Sequence, residues 1–258
     1  MKTIVGLVAL VSLVAAGETV AQMPAPVTAV QCEVQPELLT SESHLNRVTN
    51  AVRADKKLDV LIIGSLSSTL PGADGADRAY PARFAAAMRQ RLPNETIVVG
   101  SEILPRVTAE DVAPRLAALV QKHHSVLAIW QTGTADALQS VSPDDFREAL
   151  DEGIKNLQGA GVDVVLLNPQ YSPRLETMIS LGPYLDNMRV VAQQHDIPLF
   201  DRFAIMKHWS ETGTFDLHGA VRGTEMAKNV HDCLGRALAA FVVDAAGLKA
   251  SSGKFSDP

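Results

Sequence analysis

Five apolar runs recur along the chain at wide intervals: DVLIIG over Asp59–Gly64, TIVVG over Thr96–Gly100, SVLAIWQ over Ser125–Gln131, VDVVLLN over Val162–Asn168 and IPLFD over Ile197–Asp201. None alternates cleanly between apolar and polar, so both faces of each run should be buried, as in a parallel sheet covered by helices. Between the runs the spacing turns helical. Tyr80–Leu92 stacks Phe84, Met88 and Leu92 on one face and turns Arg83, Arg89 and Arg91 largely elsewhere. Ala109–Gln121 repeats the pattern with Val112, Leu116, Leu119 and Val120, and Ser142-Pro143-Asp144-Asp145 caps a helix ending near Gly159–Gly161. Helices over Leu175–His195 and Gly223–Ala246 complete the series. The alternation predicts an α/β protein: a three-layer αβα sandwich on a doubly wound, five-stranded parallel sheet.

The N-terminus departs from this pattern. After Lys2, Ile4–Ala16 (IVGLVALVSLVAA) is an apolar run of signal-peptide length, and Thr19-Val20-Ala21 places small residues at the −3 and −1 positions of a cleavage site. Gly17-Glu18 interrupts the run well short of the roughly 20 apolar residues a bilayer span requires. The expected organisation is a signal peptide over 1–21, an N-terminal arm and helix over 22–56, the α/β domain over 57–246 and a disordered tail over 247–258. After cleavage about 235 residues remain, enough for one well-cored domain and no membrane insertion. The predicted location is the periplasm or the exterior.

Charge and cysteine content sharpen this picture. The net charge of −6, without a Lys/Arg cluster, leaves no electrostatic footprint for nucleic acid or an anionic membrane surface. Cys32 and Cys233, the only two cysteines, lie at opposite ends of the mature chain. Export would place them where a disulfide persists, so a Cys32–Cys233 bridge is expected; two buried free thiols are the other reading.

In open parallel sheets, ligand sites lie beyond the carboxyl ends of the strands. That rule selects Gly64-Ser65-Leu66-Ser67, Gly100-Ser101-Glu102, Gln131-Thr132-Gly133-Thr134-Ala135-Asp136 and the loop carrying Asp216 and His218. A serine after the first strand with an Asp and a His before the last helix suggests a nucleophile, its base and an orienting carboxylate. The serines also suit a turn on local hydrogen bonding alone, and His218 suits a helix start. His123-His124 has no third ligand nearby and reads as solvated, Glu102 reads as a surface carboxylate, and no metal site is expected.

The sequence resembles the SGNH, or GDSL-like, hydrolases, a family of esterases, lipases and carbohydrate deacetylases. The resemblance spans roughly Lys57 to Phe241 and rests on Gly64-Ser65-Leu66-Ser67-Ser68, Ala79-Tyr80-Pro81-Ala82, Ile129–Asp136, Asn168-Pro169-Gln170-Tyr171-Ser172-Pro173, Phe203–Trp209, and His218 with Gly223 behind it. Some exported members carry cysteines at places like Cys32 and Cys233. The resemblance implies a flavodoxin-like sheet of the SGNH type. It also implies a catalytic serine in the first block, in either of two registers: Gly64 on the family's Gly puts Leu66 at the nucleophile position, whereas Ser65-Leu66-Ser67 on the family's Ser-Leu-Ser/Thr makes Ser65 the nucleophile.

The remaining blocks depart from the pattern. The second lacks its oxyanion-binding glycine. In the third, Ala135 replaces the Asn of Gly-x-Asn-Asp, whose side-chain amide would bind the oxyanion. In the fifth, the Asp expected three residues before His218 is Phe215, with Asp216 one residue closer. Losing one oxyanion donor alone costs about a hundred- to a thousand-fold in other hydrolases. The leading expectation is therefore an exported SGNH-like domain with a degraded site, its cleft taking an acylated glycan or another envelope component as ligand. The second is a weak esterase or deacetylase in which Ser65 attacks, His218 is the base, Asp216 orients it, and backbone N–H groups near Gly133 hold the oxyanion, with Gly64, Leu66, Ser67, Thr134 and Ala135 lining the pocket. The third is a structural partner in an envelope assembly, which requires a large exposed apolar patch. None of these requires a metal or organic cofactor. Asn168-Pro169-Gln170-Tyr171 is expected at the sheet's carboxyl edge, beside the pocket.

Overall fold

The structure, a computed structural model, describes residues 32–219 and 223–249. The signal-peptide segment and most of the C-terminal tail lie outside the described residues. Five parallel strands form one sheet: β1 Lys57–Gly64, β2 Thr96–Ile103, β3 Leu127–Gln131, β4 Asp163–Leu167 and β5 Leu199–Phe200. Their order is β2-β1-β3-β4-β5. The order reverses between β1 and β3, so the first and third connections leave on opposite sides and open a crevice at the carboxyl ends of those two strands.

The helices that cover the sheet are α1 Asn46–Asp55, α2 Tyr80–Arg91, α3 Thr134–Leu138, α4 Pro143–Gly159, α5 Gly182–Gln194, α6 Arg202–Glu211 and α7 Glu225–Ala245, with shorter turns between them. Successive strand side chains go to opposite faces. Leu58, Val60 and Ile62 of β1 therefore join α1, α2, α6 and α7 in one core, while Leu61 and Ile63 join α4, α5 and the 109–122 segment in the other. This is the predicted three-layer α/β sandwich; the runs of β1, β3 and β4 are buried on both faces as read from the sequence, whereas β2, at the sheet edge, leaves Val98 exposed.

Two predicted helices are broken. Ala109–Gln121 comprises Ala109–Val112, a 3₁₀ turn at Ala113–Arg115 and Leu116–Lys122, because Pro114 has no N–H to continue the ladder. Leu175–His195 divides into Pro173–Glu176 and α5, the second opening at Gly182-Pro183. At the other end of the domain Gly247 and Leu248 close α7 through backbone bonds to Asp244 and Val243, and Leu248 packs on the core.

Gly235 has a packing role. A Cβ there would stand 2.5 Å from Arg83 Cβ and 2.6 Å from the Phe84 nitrogen, so its absence lets α7 approach the backbone of α2. The expected disulfide is present: Cys32 and Cys233 are bonded, their Cα atoms 5.4 Å apart, across a sequence separation of 201 residues. It fastens the N-terminal arm to α7, and Trp209 of α6 adds a hydrogen bond from Nε1 to the Glu33 carbonyl at 2.7 Å. Because the bridge closes a loop spanning most of the chain, Cys233→Ser is expected to lower unfolding stability by about 2–5 kcal/mol. Denaturant titration of the variant beside the oxidised protein checks this; an unchanged midpoint would mean that the arm is held by packing alone.

Candidate functional site

Strand β1 ends at Gly64, and the chain turns at once into a 3₁₀ turn over Leu66–Ser68 with Ser65 at its head. Strand β3 ends beside it at Gln131, which is 3% exposed. The Gln131 side chain crosses the crevice, and its Oε1 gathers four donors: the Ser65 backbone N–H at 3.0 Å and the hydroxyls of Ser65, Ser67 and Ser68 at 3.1, 3.3 and 2.9 Å. The backbone N–H can only donate, which fixes the amide with its oxygen toward the serines. The Gln131 Nε2 is then left buried with no partner among the described residues, as is Thr134 Oγ1.

A buried cation underlies the same turn. Arg202 is the first residue of α6, the wrong end of a helix for a positive charge, yet it is only 1% exposed. Asn168, at the end of β4, holds the start of that helix: its Nδ2 donates to Asp201 Oδ1 at 2.7 Å and its Oδ1 accepts the Phe203 N–H at 2.9 Å. The guanidinium of Arg202 donates to Ser67 Oγ at 3.2 Å, to the Ser67 carbonyl at 3.1 Å and to Gln170 Oε1 at 2.9 Å, and lies 5.5 Å from the Tyr80 ring centroid. No carboxylate pairs with it among the described residues. Burial alone brings its pKa down to about 10.

Behind it, Tyr80 closes the network. Its hydroxyl bonds Ser68 Oγ at 2.9 Å, and its backbone N–H, left free at the start of α2, donates to Nδ1 of His231 at 3.0 Å. Burial, and then the Arg202 charge, push the His231 pKa down to about 3.

The sequence-predicted residues fall into two groups. Gly64, Ser65, Leu66, Ser67, Gly133, Thr134 and Ala135 meet at the crevice. A groove of about 530 Å³ is lined by Ser65, Leu66, Ser67, Arg106, Thr134, Ala135, Leu138, Gln139, Gln170 and Leu175, and a cavity of about 20 Å³ shares Ser65, Thr134 and Ala135 with it. His218 and Asp216 stay outside. Both are exposed, and Asp216 Oδ1 accepts the backbone N–H groups of His218 at 3.2 Å and Gly219 at 2.9 Å, so the carboxylate closes a turn instead of orienting the imidazole. Among the described residues no hydrogen bond joins Ser65 to His218.

The oxyanion positions are also altered. Gly100 pairs with Leu61 inside the β1–β2 ladder, and a Cβ there would come within 2.9 Å of His123 Nδ1, so this glycine serves packing. Glu102 turns to Lys122 and His123, each at 2.8 Å, and those two partners hold its pKa below the usual carboxylate range. Gly133 takes φ +92°, and its N–H donates to Asp136 Oδ2 at 3.2 Å; the buried Asp136 also accepts the Ala109 N–H at 2.8 Å. Burial raises the Asp136 carboxyl pKa, opposed by these backbone donors. The backbone N–H groups of Ser65 and Gly133 are thus both committed, and Ala135 offers only a methyl group.

These features correspond to a known family. The model of the non-GDSL lipase-like family matches residues 31–248. The chain belongs to that family. Membership in a non-GDSL lipase-like group agrees with a first block in which no Asp precedes the serine. Solved structures share the SGNH-type fold: a protein assigned to the G-D-S-L lipolytic family from Desulfitobacterium hafniense DCB-2 (TM-score 0.54, 16% identity, covering 72% of this chain and 99% of that one) and a catalytic mutant of the acetylxylan esterase Axe2 from Geobacillus stearothermophilus (TM-score 0.56, 15% identity, 71% and 94%). A lipase/acylhydrolase from Enterococcus faecalis aligns with TM-score 0.51 at 20% identity, over 69% of this chain and 97% of its own. At these identities the likeness is one of fold. No curated protein matches the chain in sequence.

The sequence placed Gln131 in a carboxyl-end loop without a role for its side chain, and Arg202 was not among the expected site residues. Each left a signal: a polar residue ending an otherwise apolar run, and a cation at a helix N-terminus where the dipole disfavours it.

Two outcomes follow from the network. Gln131→Met removes the shared acceptor, and each buried donor it orphans should cost about 1–3 kcal/mol, read by urea unfolding. His231 stays neutral in the folded protein down to about pH 3, whereas an unfolded His binds a proton from about pH 6.5 downward. Its contribution is therefore complete above pH 6.5 and is lost as the pH falls toward 3, by up to the order of 4 kcal/mol. His231→Gln, which can still accept the Tyr80 N–H but cannot titrate, should show a shallower loss of stability between pH 6.5 and 4 than the parent. Identical pH profiles would remove His231 as the cause.

Proposed function

We propose that this is an exported member of the non-GDSL lipase-like family that binds a ligand at the crevice between β1 and β3 with little or no hydrolytic turnover. The ligand class is an envelope component or acylated glycan, and no metal or organic cofactor takes part. The carrying observation is the double engagement of Ser65 by Gln131: one amide oxygen accepts both its hydroxyl and its backbone N–H. A serine nucleophile needs a base that can take its proton, and an amide oxygen is not one at neutral pH. An acyl-transfer site also needs donors free for the developing oxyanion. Here the N–H groups of Ser65 and Gly133 point at Gln131 and Asp136. Export is supported by the Cys32–Cys233 bridge, a bond that persists in oxidising compartments. No helix among the described residues is long and apolar enough to cross a membrane.

The second reading, a weak esterase or deacetylase, draws on the position of Ser65: it directly follows β1 and lines the groove, in a fold shared with an acetylxylan esterase. It requires His218, with Asp216 behind it, to leave its exposed turn and reach the Ser65 hydroxyl.

Hydrolysis of short-chain aryl esters and of acetylated xylo-oligosaccharide by the purified mature protein, beside Ser65→Ala and His218→Ala, separates the two. The expected result is no rate above background, unchanged by either substitution. Turnover abolished by both would establish the esterase reading in its place.

A further inference from the structure

The groove beside Ser65 has an unusual charge composition for a chain of net charge −6: among the described residues that line it none is acidic, and the one charged side chain is the cation Arg106. Arg106 stands on the rim, exposed and without an ion pair among the described residues. Its backbone is held at φ +61°, a conformation that is costly for a non-glycine residue, with its carbonyl accepting Gln139 Nε2 at 2.9 Å. Beneath the floor lies Arg202, buried and without a carboxylate, one hydrogen bond away through Ser67 and Gln170. The Arg202 bond occupies Gln170 Oε1, so the amide end that remains to Gln170 is a donor.

The adjoining cavity of about 20 Å³ continues this bias. It is lined by Gln131, whose Oε1 is taken by the serines and whose Nε2 has no partner among the described residues, and by Thr134, whose buried hydroxyl has none among them either. The space suits one oxygen-sized group. Leu66, Ala135, Leu138 and Leu175 form apolar walls of the groove, with Gln139 beside them, and Leu66 and Leu138 are 56% and 52% exposed.

We infer that the groove binds an amphiphilic anion: one apolar chain terminated by a carboxylate or phosphate. One oxygen of the head group enters the small cavity to accept from Gln131 Nε2 and Thr134 Oγ1. Arg106 closes over the head from the rim, and Arg202 supplies a countercharge from below, in a low-dielectric setting where it is felt across a hydrogen bond. The chain lies along Leu66, Leu138 and Leu175. A volume of about 530 Å³ is within the range of pockets for a small organic ligand. The inference rests on the proposed ligand-binding role and specifies its ligand by charge: a free acid that is held, in contrast to a neutral ester that is cleaved.

Calorimetric titration of the mature protein with dodecanoate and with dodecyl phosphate, each below its micellar concentration, tests it, with dodecan-1-ol and methyl dodecanoate as uncharged controls. The expected result is saturable binding of at least one anion, with both controls about tenfold weaker or more, because a charge-assisted contact is lost. Which anion binds tighter assigns the head group. Arg106→Gln, a surface change that leaves the core intact, should weaken the anion about tenfold and leave the controls unchanged, while Leu138→Asp should weaken every ligand. Equal affinity for dodecanoate and its methyl ester, or no binding of either anion, would overturn the inference. So would a concentration-dependent dimer that Leu138→Asp dissociates, since the groove would then be covered by a second copy of the chain. Parallel incubation with the 4-nitrophenyl ester of dodecanoate keeps the two proposals distinguishable: Ser65-dependent hydrolysis would reject the low-turnover role even where anion binding holds.

Discussion

One hydrogen-bond acceptor, Gln131 Oε1, holds the carboxyl edge of this sheet together. It spans the crevice where the strand order reverses and takes the Ser65 N–H from β1 with three serine hydroxyls from the turn that follows. An α/β sheet leaves the strand-end backbone groups at such a reversal without ladder partners, so something must satisfy them. In this protein the side chain at the end of β3 does so, and the result is a closed, buried polar cluster. The same contact that makes the edge stable removes the freedom a nucleophilic serine requires. On the proposed low-turnover reading, structure and lost chemistry have a common cause.

The cluster extends rearward through a charge. Arg202 reaches under the turn from α6, and its burial without a carboxylate is unfavourable unless hydrogen bonds and the Tyr80 face compensate. Its field also disfavours protonation of His231, which in turn satisfies the N–H at the start of α2. Turn, helix start and last helix are thereby coupled through groups that must keep fixed protonation states. A buried cation so close to a groove with no acidic lining residue among those described supports the proposed preference for an anion.

Most of the fold was legible in the sequence because the inner strands, buried on both faces, leave unbroken apolar runs; the five runs became five parallel strands, although β2 at the edge leaves Val98 exposed. The two broken helices, at Pro114 and around Gly182-Pro183, were marked by the very residues that break them; amphipathic spacing persists across such breaks and hides them. The departures at Ala135 and in the Gly100 loop were legible as well, since a missing amide or glycine can be read directly. What could not be read was the use of the polar groups that remain. Asp216 closing its own turn, Gln131 turned onto the serines and Arg202 drawn beneath them are side-chain choices made by tertiary packing. A periodicity carries no record of them.

The distribution of constraint within the site supports a binding role over a vestigial one. A hydrolase site that merely decays should relax: orphaned polar groups should be replaced by apolar ones, and strained backbone should revert. Here the reverse holds. Arg202 is buried, Arg106 has a left-handed conformation, and one end of the Gln131 amide has no partner among the described residues. Each is a cost to folding of a size that a marginally stable domain does not carry without reason. Arg106 lines the groove at Ser65, Gln131 lines the small cavity that shares Ser65 with it, and Arg202 lies one hydrogen bond behind, through Ser67 and Gln170. Their common location favours a site reshaped around a held ligand, with the hydrolytic groups given over to scaffolding.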